Sequence, residues 1–201
     1  MKSKDRNSSV LTYRFEEALN YAYRLHANQK RKGTQIPYVA HLFGVTALVL
    51  EYGGGEDEAI AALLHDAVED QGGINTLKII QERFGERVAY IVESLTDSFE
   101  KPKPDWETRK VNYLSHLKDV SPEVRRVSLA DKLHNARSIL ATLQSEGEKT
   151  WLRFSGGKQG TLWYYNSLAK IFSETGDDYM TREFVRVVSE INRAAYHECY
   201  Q

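Results

Sequence analysis

The chain has 201 residues, of which 41% are hydrophobic and 27% are charged, a composition typical of a globular domain with a buried core. Its formal net charge of −1 argues against nucleic acid as a partner, and its single cysteine, Cys199, excludes a disulfide framework and a cysteine metal site. No apolar run approaches the length of a membrane helix and the first residues lack the apolar segment of a signal peptide, so we expect a cytoplasmic protein without a membrane partner.

Apolar residues recur at helical spacing through most of the chain, and no segment alternates with the two-residue period of a strand. The glycines at 53–55 indicate a helix end, and Ser121-Pro122-Glu123 is typical of a helix start, because proline lacks only an N–H that the first turn leaves unpaired. The predicted helices cover about residues 13–30, 38–52, 56–70, 74–84, 86–96, 106–119, 121–145, 161–174 and 178–198, with a loop at 98–105. The prediction is an all-α helical bundle of about eight to ten helices, one domain over residues 1–201, with residues 1–8 loose.

The third predicted helix carries four titratable side chains on one face. At about 100° per residue, His65, Asp66, Glu69 and Asp70 share an arc of roughly 140°, separate from the apolar residues of the same segment. Three neighbouring acids repel one another unless a cation or a hydrogen-bonding partner offsets them, and a divalent metal would do so. A solvated acidic helix end explains the same pattern, and this segment alone does not decide between the two interpretations.

Two other helices carry polar residues in apolar surroundings. Asp131, His134, Asn135 and Ser138 lie at i, i+3, i+4 and i+7, which makes a polar stripe on an otherwise apolar helix. Such a stripe needs hydrogen-bonding partners if it is buried, and otherwise it is a surface face. His41 precedes the apolar stretch LFGVTALVL, where a histidine is more often a hydrogen-bonded core residue than a ligand.

Together these segments resemble the HD superfamily of metal-dependent phosphohydrolases. The stretches RKGTQIPYVAH, AALLHDAVED and LADKLHNARS resemble more closely the hydrolase domain of the RelA/SpoT-like alarmone enzymes and the small alarmone hydrolases, over about residues 13–172. The resemblance implies a stringent-response hydrolase that removes the 3′-diphosphate of guanosine tetra- and pentaphosphate, (p)ppGpp, with Mn²⁺ as cofactor. Two imidazoles with carboxylates also suit Fe²⁺, Co²⁺ or Zn²⁺, and they suit Ca²⁺ or Mg²⁺ less well.

The resemblance also implies a role for individual residues. The implied metal ligands are His41, His65, Asp66 and Asp131. The implied catalytic pair, which orients and activates the attacking water, is Glu69 and Asp70. The implied substrate-binding residues are Arg31, Lys32, Asn135, Ser138 and Tyr165. His134 is expected to support the metal ligands and not to be a fifth ligand.

Three functions stay open at this point. The first is the alarmone hydrolase; the second is a nucleotidase or phosphatase acting on another nucleotide, NADPH included; the third is a nucleotide sensor without turnover. A complete acidic pair argues against the sensor, because pure binding has no need of a water-activating base. In each case the expected partner is a small anionic nucleotide. The sequence also leaves open whether the chain forms a homo-oligomer.

Overall fold

A computed structural model describes residues 10–99 and 102–197, and the statements below refer to these ranges. Residues 1–8, predicted to be loose, and Cys199 lie outside them. The helices are α1 (Tyr13–His26), α2 (Val39–Glu51), α3 (Glu56–Leu64), α4 (Ala67–Gln71), α5 (Ile74–Phe84), α6 (Glu86–Leu95), α7 (Trp106–His116), α8 (Pro122–Glu146), a 3₁₀ helix (Gly147–Arg153), α9 (Gly157–Thr175) and α10 (Tyr179–His197). Within the described residues the only β pairing is the isolated Lys30–Pro37 bridge, so the all-α prediction is confirmed.

Several helices start where the sequence predicts because a side chain caps the first turn. The Ser121 hydroxyl accepts a hydrogen bond from the N–H of Val124 ahead of α8, and the Asp105 carboxylate accepts one from Thr108 ahead of α7. Gly85 separates α5 from α6 with a φ of 93°, a backbone conformation that glycine adopts without strain. These local signals explain why the predicted helices at 74–84, 86–96 and 121–145 agree with the structure to within a residue or two.

Four of the predicted helices differ from the structure, and one of them, predicted over 106–119, ends at His116. The first helix ends at His26 and not near residue 30, because the chain turns back there and the N–H of Tyr38 donates to the carbonyl of Gln29. The predicted helix 56–70 breaks between Leu64 and Ala67. Helix α9 begins at Gly157 instead of residue 161, and Gly160 lies inside it, packed closely against the indole of Trp106.

Helix α3 is the centre of the bundle. Its residues from Ala59 to Leu64 are fully buried, and it packs against α1, α2, α6 and α8. The C-terminal end of α3, the start of α2 and the middle of α8 therefore meet inside the protein. Among the described residues, no helix combines the length and the apolarity that crossing a bilayer requires.

Candidate functional site

Two histidines and two aspartates converge where α2, α3 and α8 meet. The Nε2 atom of His41 lies 3.2 Å from Oδ1 of Asp131 and 3.6 Å from Oδ2 of Asp66. The Nε2 atom of His65 lies 3.0 Å from Oδ2 of Asp66 and 3.6 Å from Oδ1 of Asp131. His41, His65 and Asp131 are buried, and Asp66 is partly exposed. The structure thus brings together all four side chains that the sequence proposed as metal ligands.

Two of these side chains, His65 and Asp66, belong to the short break between α3 and α4. The Nδ1 atom of His65 lies 2.8 Å from the carbonyl oxygen of Ala62. In a continuous helix that carbonyl would accept from the N–H of residue 66, so the imidazole takes the place of a helical hydrogen bond. The predicted helix is thus interrupted, because His65 and Asp66 occupy the turn between α3 and α4 and the two acids that follow belong to α4. Of the four side chains predicted to share a face, His65, Asp66 and Glu69 line one cavity, whereas Asp70 does not.

His41 is oriented by a second imidazole. Its Nδ1 atom lies 2.9 Å from Nδ1 of His134, so one of the two rings donates and the other accepts. Burial, with smaller effects from the neighbouring His41 and Arg31, lowers the pKa of His134 to about 4, which keeps its ring neutral and able to accept. The ring occupies space beside Gly44, where an added Cβ would come closer than 3.0 Å. His134 therefore lies next to the cluster as a support for His41, as the sequence suggested.

The donor set fits a divalent cation. The Ala62 carbonyl accepts from Nδ1–H of His65, so in the neutral ring the lone pair lies on Nε2, the buried atom that faces the carboxylates of Asp66 and Asp131 and that a metal ion would use. Burial raises the pKa of Asp131, but the ammonium of Lys132, 2.7 Å away, and the two imidazoles hold it well below its usual range. Two imidazoles and two carboxylates that converge on one point form a donor set that suits a divalent cation.

The proposed catalytic acids lie on α4, each with its own partner. Oε1 of Glu69 accepts a hydrogen bond from the ammonium of Lys103 at 2.7 Å. Oδ2 of Asp70 accepts one from the side-chain amide of Gln29 at 2.7 Å. Glu69 lines the cavities described next, whereas Asp70 borders a separate shallow depression on the α1 side of α4. The two acids therefore differ in their surroundings, which their adjacent positions in the sequence did not indicate.

A cavity of about 520 Å³ opens beside the cluster, and a second of about 240 Å³ adjoins it on the cluster side. The smaller one is lined by His65, Asp66 and Asp131, and both are lined by Arg31 and Lys132. The larger is big enough for a nucleotide-sized ligand. Positive side chains therefore border the space that leads to the acidic cluster.

All five residues proposed to bind substrate, Arg31, Lys32, Asn135, Ser138 and Tyr165, line the larger cavity. The guanidinium of Arg31 donates to Oδ1 of Asn135 at 2.7 Å, and the amide of Asn135 donates to Asp131. The hydroxyl of Ser138 donates to the carbonyl of His134 within α8. Arg31 is thereby connected to the carboxylate of Asp131 through Asn135.

Some residues of the site were missed. Tyr38 donates its hydroxyl to Oδ2 of Asp66 at 2.6 Å, and Lys110, Lys132, Arg153 and Trp106 line the larger cavity. Tyr38 and Lys132 lie inside stretches on which the resemblance rests, so their proximity to His41 and Asp131 was a usable signal. Lys110 and Arg153 come from segments where polar residues equally fit a surface face, and no pattern pointed to them.

Comparison with known proteins identifies relatives of this arrangement. The family model described as HD domain matches residues 18–162. The guanosine-3′,5′-bis(diphosphate) 3′-pyrophosphohydrolase MESH1 of Xenopus tropicalis is 40% identical over 126 residues, which span 61% of this chain and 68% of that protein. The human protein of the same name is 37% identical over the same length, with the same coverage.

Two solved structures have a similar fold. A structure described as a metazoan ortholog of SpoT that hydrolyses ppGpp superposes with a TM-score of 0.70 at 25% identity, covering 92% of this chain and 97% of the other. A crystal structure of a Listeria monocytogenes protein superposes with a TM-score of 0.65 at 28% identity, covering 76% of this chain and 99% of the other. The first of these superpositions therefore covers more of the chain than the matched family region, residues 18–162.

Proposed function

This chain belongs to the HD-domain family, and we propose that it is a metal-dependent phosphohydrolase that removes the 3′-diphosphate of guanosine tetra- and pentaphosphate. The observation that carries the proposal is that the His41, His65, Asp66 and Asp131 cluster adjoins a cavity bordered by positive side chains. An acidic donor set next to a basic cavity suits a substrate that is itself a polyanion and reacts at one of its phosphates.

The reaction consumes one water and releases pyrophosphate. The water oxygen forms a bond to the phosphorus that is attached to the 3′ oxygen, and the bond between that phosphorus and the 3′ oxygen breaks. One proton of the water passes to a base, and the 3′ oxygen takes up a proton to become a hydroxyl. The products are pyrophosphate and GDP or GTP.

Each group of residues has a role in this scheme. His41, His65, Asp66 and Asp131 would hold the metal ion, which when bound supplies positive charge to the phosphoryl oxygens and makes water more acidic. Glu69 and Asp70 orient the water and accept its proton. Arg31 and Lys32 hold the anionic substrate, and Asn135, Ser138 and Tyr165 contact its sugar and phosphates. The resemblance to the alarmone hydrolases implies Mn²⁺, and two imidazoles with two carboxylates also suit Fe²⁺, Co²⁺ or Zn²⁺.

The direct test is a product assay. The purified protein is loaded with Mn²⁺ and offered guanosine 3′,5′-bis(diphosphate), GTP and NADPH in separate reactions, and the released phosphates are identified. The proposal expects pyrophosphate and GDP from the first compound. Release of inorganic phosphate from NADPH, with the alarmone left intact, would instead support the nucleotidase that the sequence also allows.

A matched pair of histidine variants controls for the metal site. His65→Gln removes a buried imidazole of the cluster, whereas His116→Gln removes an exposed one on α7. We expect the first variant to lose bound metal and activity together and the second to retain both. Equal metal content and activity in the two variants would contradict the assignment of His65.

A further inference from the structure

Asp70 is held in an unfavourable electrostatic position by a glutamine that lies far away in sequence. Burial raises the pKa of Asp70, the hydrogen bond from Gln29 lowers it, and the charges of Asp66 and Glu69 raise it again. Repulsion from these two acids does not hold the Asp70 carboxylate in one direction, so its position depends on a hydrogen-bond donor. The side-chain amide of Gln29, 2.7 Å from Oδ2, is such a donor.

The amide of Gln29 is itself fixed in one orientation. Its Oε1 accepts a hydrogen bond from the side-chain amide of Gln71 at 2.7 Å and lies 2.7 Å from Nδ1 of His26. A carbonyl oxygen can accept both, and this requires the His26 tautomer with the proton on Nδ1. Rotating the amide by 180° would set its oxygen against the Asp70 carboxylate and its NH₂ against the donor of Gln71. The NH₂ end of the Gln29 amide therefore faces Asp70, and its oxygen faces His26 and Gln71.

This network contacts buried residues close to the cluster of two histidines and two aspartates. His26 is buried, with 1% of its surface exposed, and its ring stacks on that of Tyr38 at a centroid distance of 5.2 Å and an interplanar angle of 19°. Tyr38 donates its hydroxyl to Asp66. Through His26 and Tyr38, Gln29 is thus positioned relative to the same aspartate that belongs to the cluster.

We propose that Gln29 is a positioning residue that sets the direction of the Asp70 carboxylate relative to the metal cluster. Gln29 does not touch the reacting atoms; it acts through Asp70, so this inference rests on the proposed function. Helix α4 has only five residues and leaves Asp70 at its exposed side, and a short helix does not by itself fix the side-chain rotamer of a solvent-facing residue. The hydrogen bond from Gln29, which follows the end of α1, supplies that constraint.

Two substitutions separate orientation from packing. Gln29→Met keeps the length of the side chain and removes both hydrogen-bonding functions, whereas Gln29→Glu keeps the shape and sets a second carboxylate against Asp70. We expect kcat to fall about tenfold in Gln29→Met and further in Gln29→Glu, with KM and metal content within about twofold of wild type, because misplacing a catalytic group acts on the chemical step. A packing role would change the melting temperature in both variants and leave kcat intact.

Gln81 offers the matched control. Its side-chain amide also donates to a carboxylate, that of Glu86 at 2.8 Å, but on the surface where α5 and α6 meet. Gln81→Met and Gln81→Glu are expected to match wild type in kcat. Wild-type kcat in both Gln29 variants would overturn the inference.

A crystal structure of Gln29→Met gives a readout that needs no substrate. We expect the Asp70 carboxylate to leave the position it has in the wild type. An unmoved carboxylate would overturn the inference even if the variant were slow. Wild-type protein that turns over no nucleotide would refute the proposed function instead, and the position of Asp70 in the variant would still decide whether Gln29 orients it.

Discussion

Replacing Gly44 with alanine should weaken metal binding, because the added methyl group would displace His134, the residue that contacts His41. Gly44 lies in the middle of α2, and a Cβ built there comes closer than 3.0 Å to the imidazole of His134, where ordinary contact is 3.4–4 Å. His134 is partly exposed, so its ring has room to give way. A displacement of roughly 1 Å would stretch the 2.9 Å contact between His134 and His41 beyond hydrogen-bonding distance.

Two opposing contributions determine how Gly44→Ala changes the stability of the metal-free protein. Alanine in place of glycine inside a helix stabilises the fold by about 1 kcal/mol, and crowding the His134 ring costs about 1–3 kcal/mol. Without metal the two terms largely offset each other. Loss of the partner that orients a metal-ligating histidine typically weakens metal binding by about 10–100-fold, or about 1.4–2.7 kcal/mol. The effect of Gly44→Ala should therefore appear in metal affinity more than in the stability of the metal-free protein.

The assay is titration of metal-free protein with Mn²⁺, followed by calorimetry, for wild type, Gly44→Ala, His134→Ala and the double variant. If the added methyl acts by displacing His134, the double variant should bind Mn²⁺ no more weakly than His134→Ala, because the ring that clashes is gone. Two results would refute the reasoning. One is wild-type affinity in Gly44→Ala, and the other is a double variant that loses the sum of both single effects.

Three further predictions follow from the same geometry. A chelator should abolish activity and lower the melting temperature, because one ion would link α2, the turn after α3 and α8; a melting curve that ignores both chelator and added Mn²⁺ would contradict this. Arg31→Ala should mainly raise KM, since the guanidinium contacts substrate in the ground state and the transition state alike, and an unaltered KM with a collapsed kcat would move Arg31 into the chemistry. Glu69→Gln should retain its metal, measured by elemental analysis, and lose about 10²–10⁴-fold in kcat; lost metal would make Glu69 a ligand, and wild-type kcat would make it a surface acid.

The sequence predicted the helices well where a local signal marks their ends, and it predicted the set of converging side chains through its resemblance to a family. It did not predict the break at His65. Apolar spacing continues smoothly from Ile60 to Val68, so nothing in the periodicity opposes one helix. At the interruption the imidazole of His65 contacts the carbonyl of Ala62, which the periodicity does not indicate. An interaction of this kind overrides propensity without leaving a trace in composition.

Partners contributed by distant segments were also beyond sequence reasoning. Lys103 belongs to a stretch that was predicted only as a loop, yet its ammonium lies 2.7 Å from Glu69, 34 positions away along the chain. Gln29 was expected in the last turn of a helix, and it instead follows the end of α1 and faces Asp70. Which polar residue faces which acid depends on how the helices pack, and helical periodicity alone does not contain that information.

The connection between Arg31 and Asp131 explains how binding and metal coordination can be matched in one site. Arg31 donates to Asn135 and lies 5.9 Å from the centroid of the Tyr38 ring, and both of these neighbours hydrogen-bond to an aspartate of the cluster. A guanidinium has five N–H donors in a rigid fork, so one can be used to fix its position while others remain for an anion. A lysine would keep the charge but has no second donor held in a fixed direction. The folded structure therefore sets the distance between the Arg31 guanidinium and the four-residue cluster, so a phosphate bound to Arg31 as proposed would reach the cluster in a defined orientation.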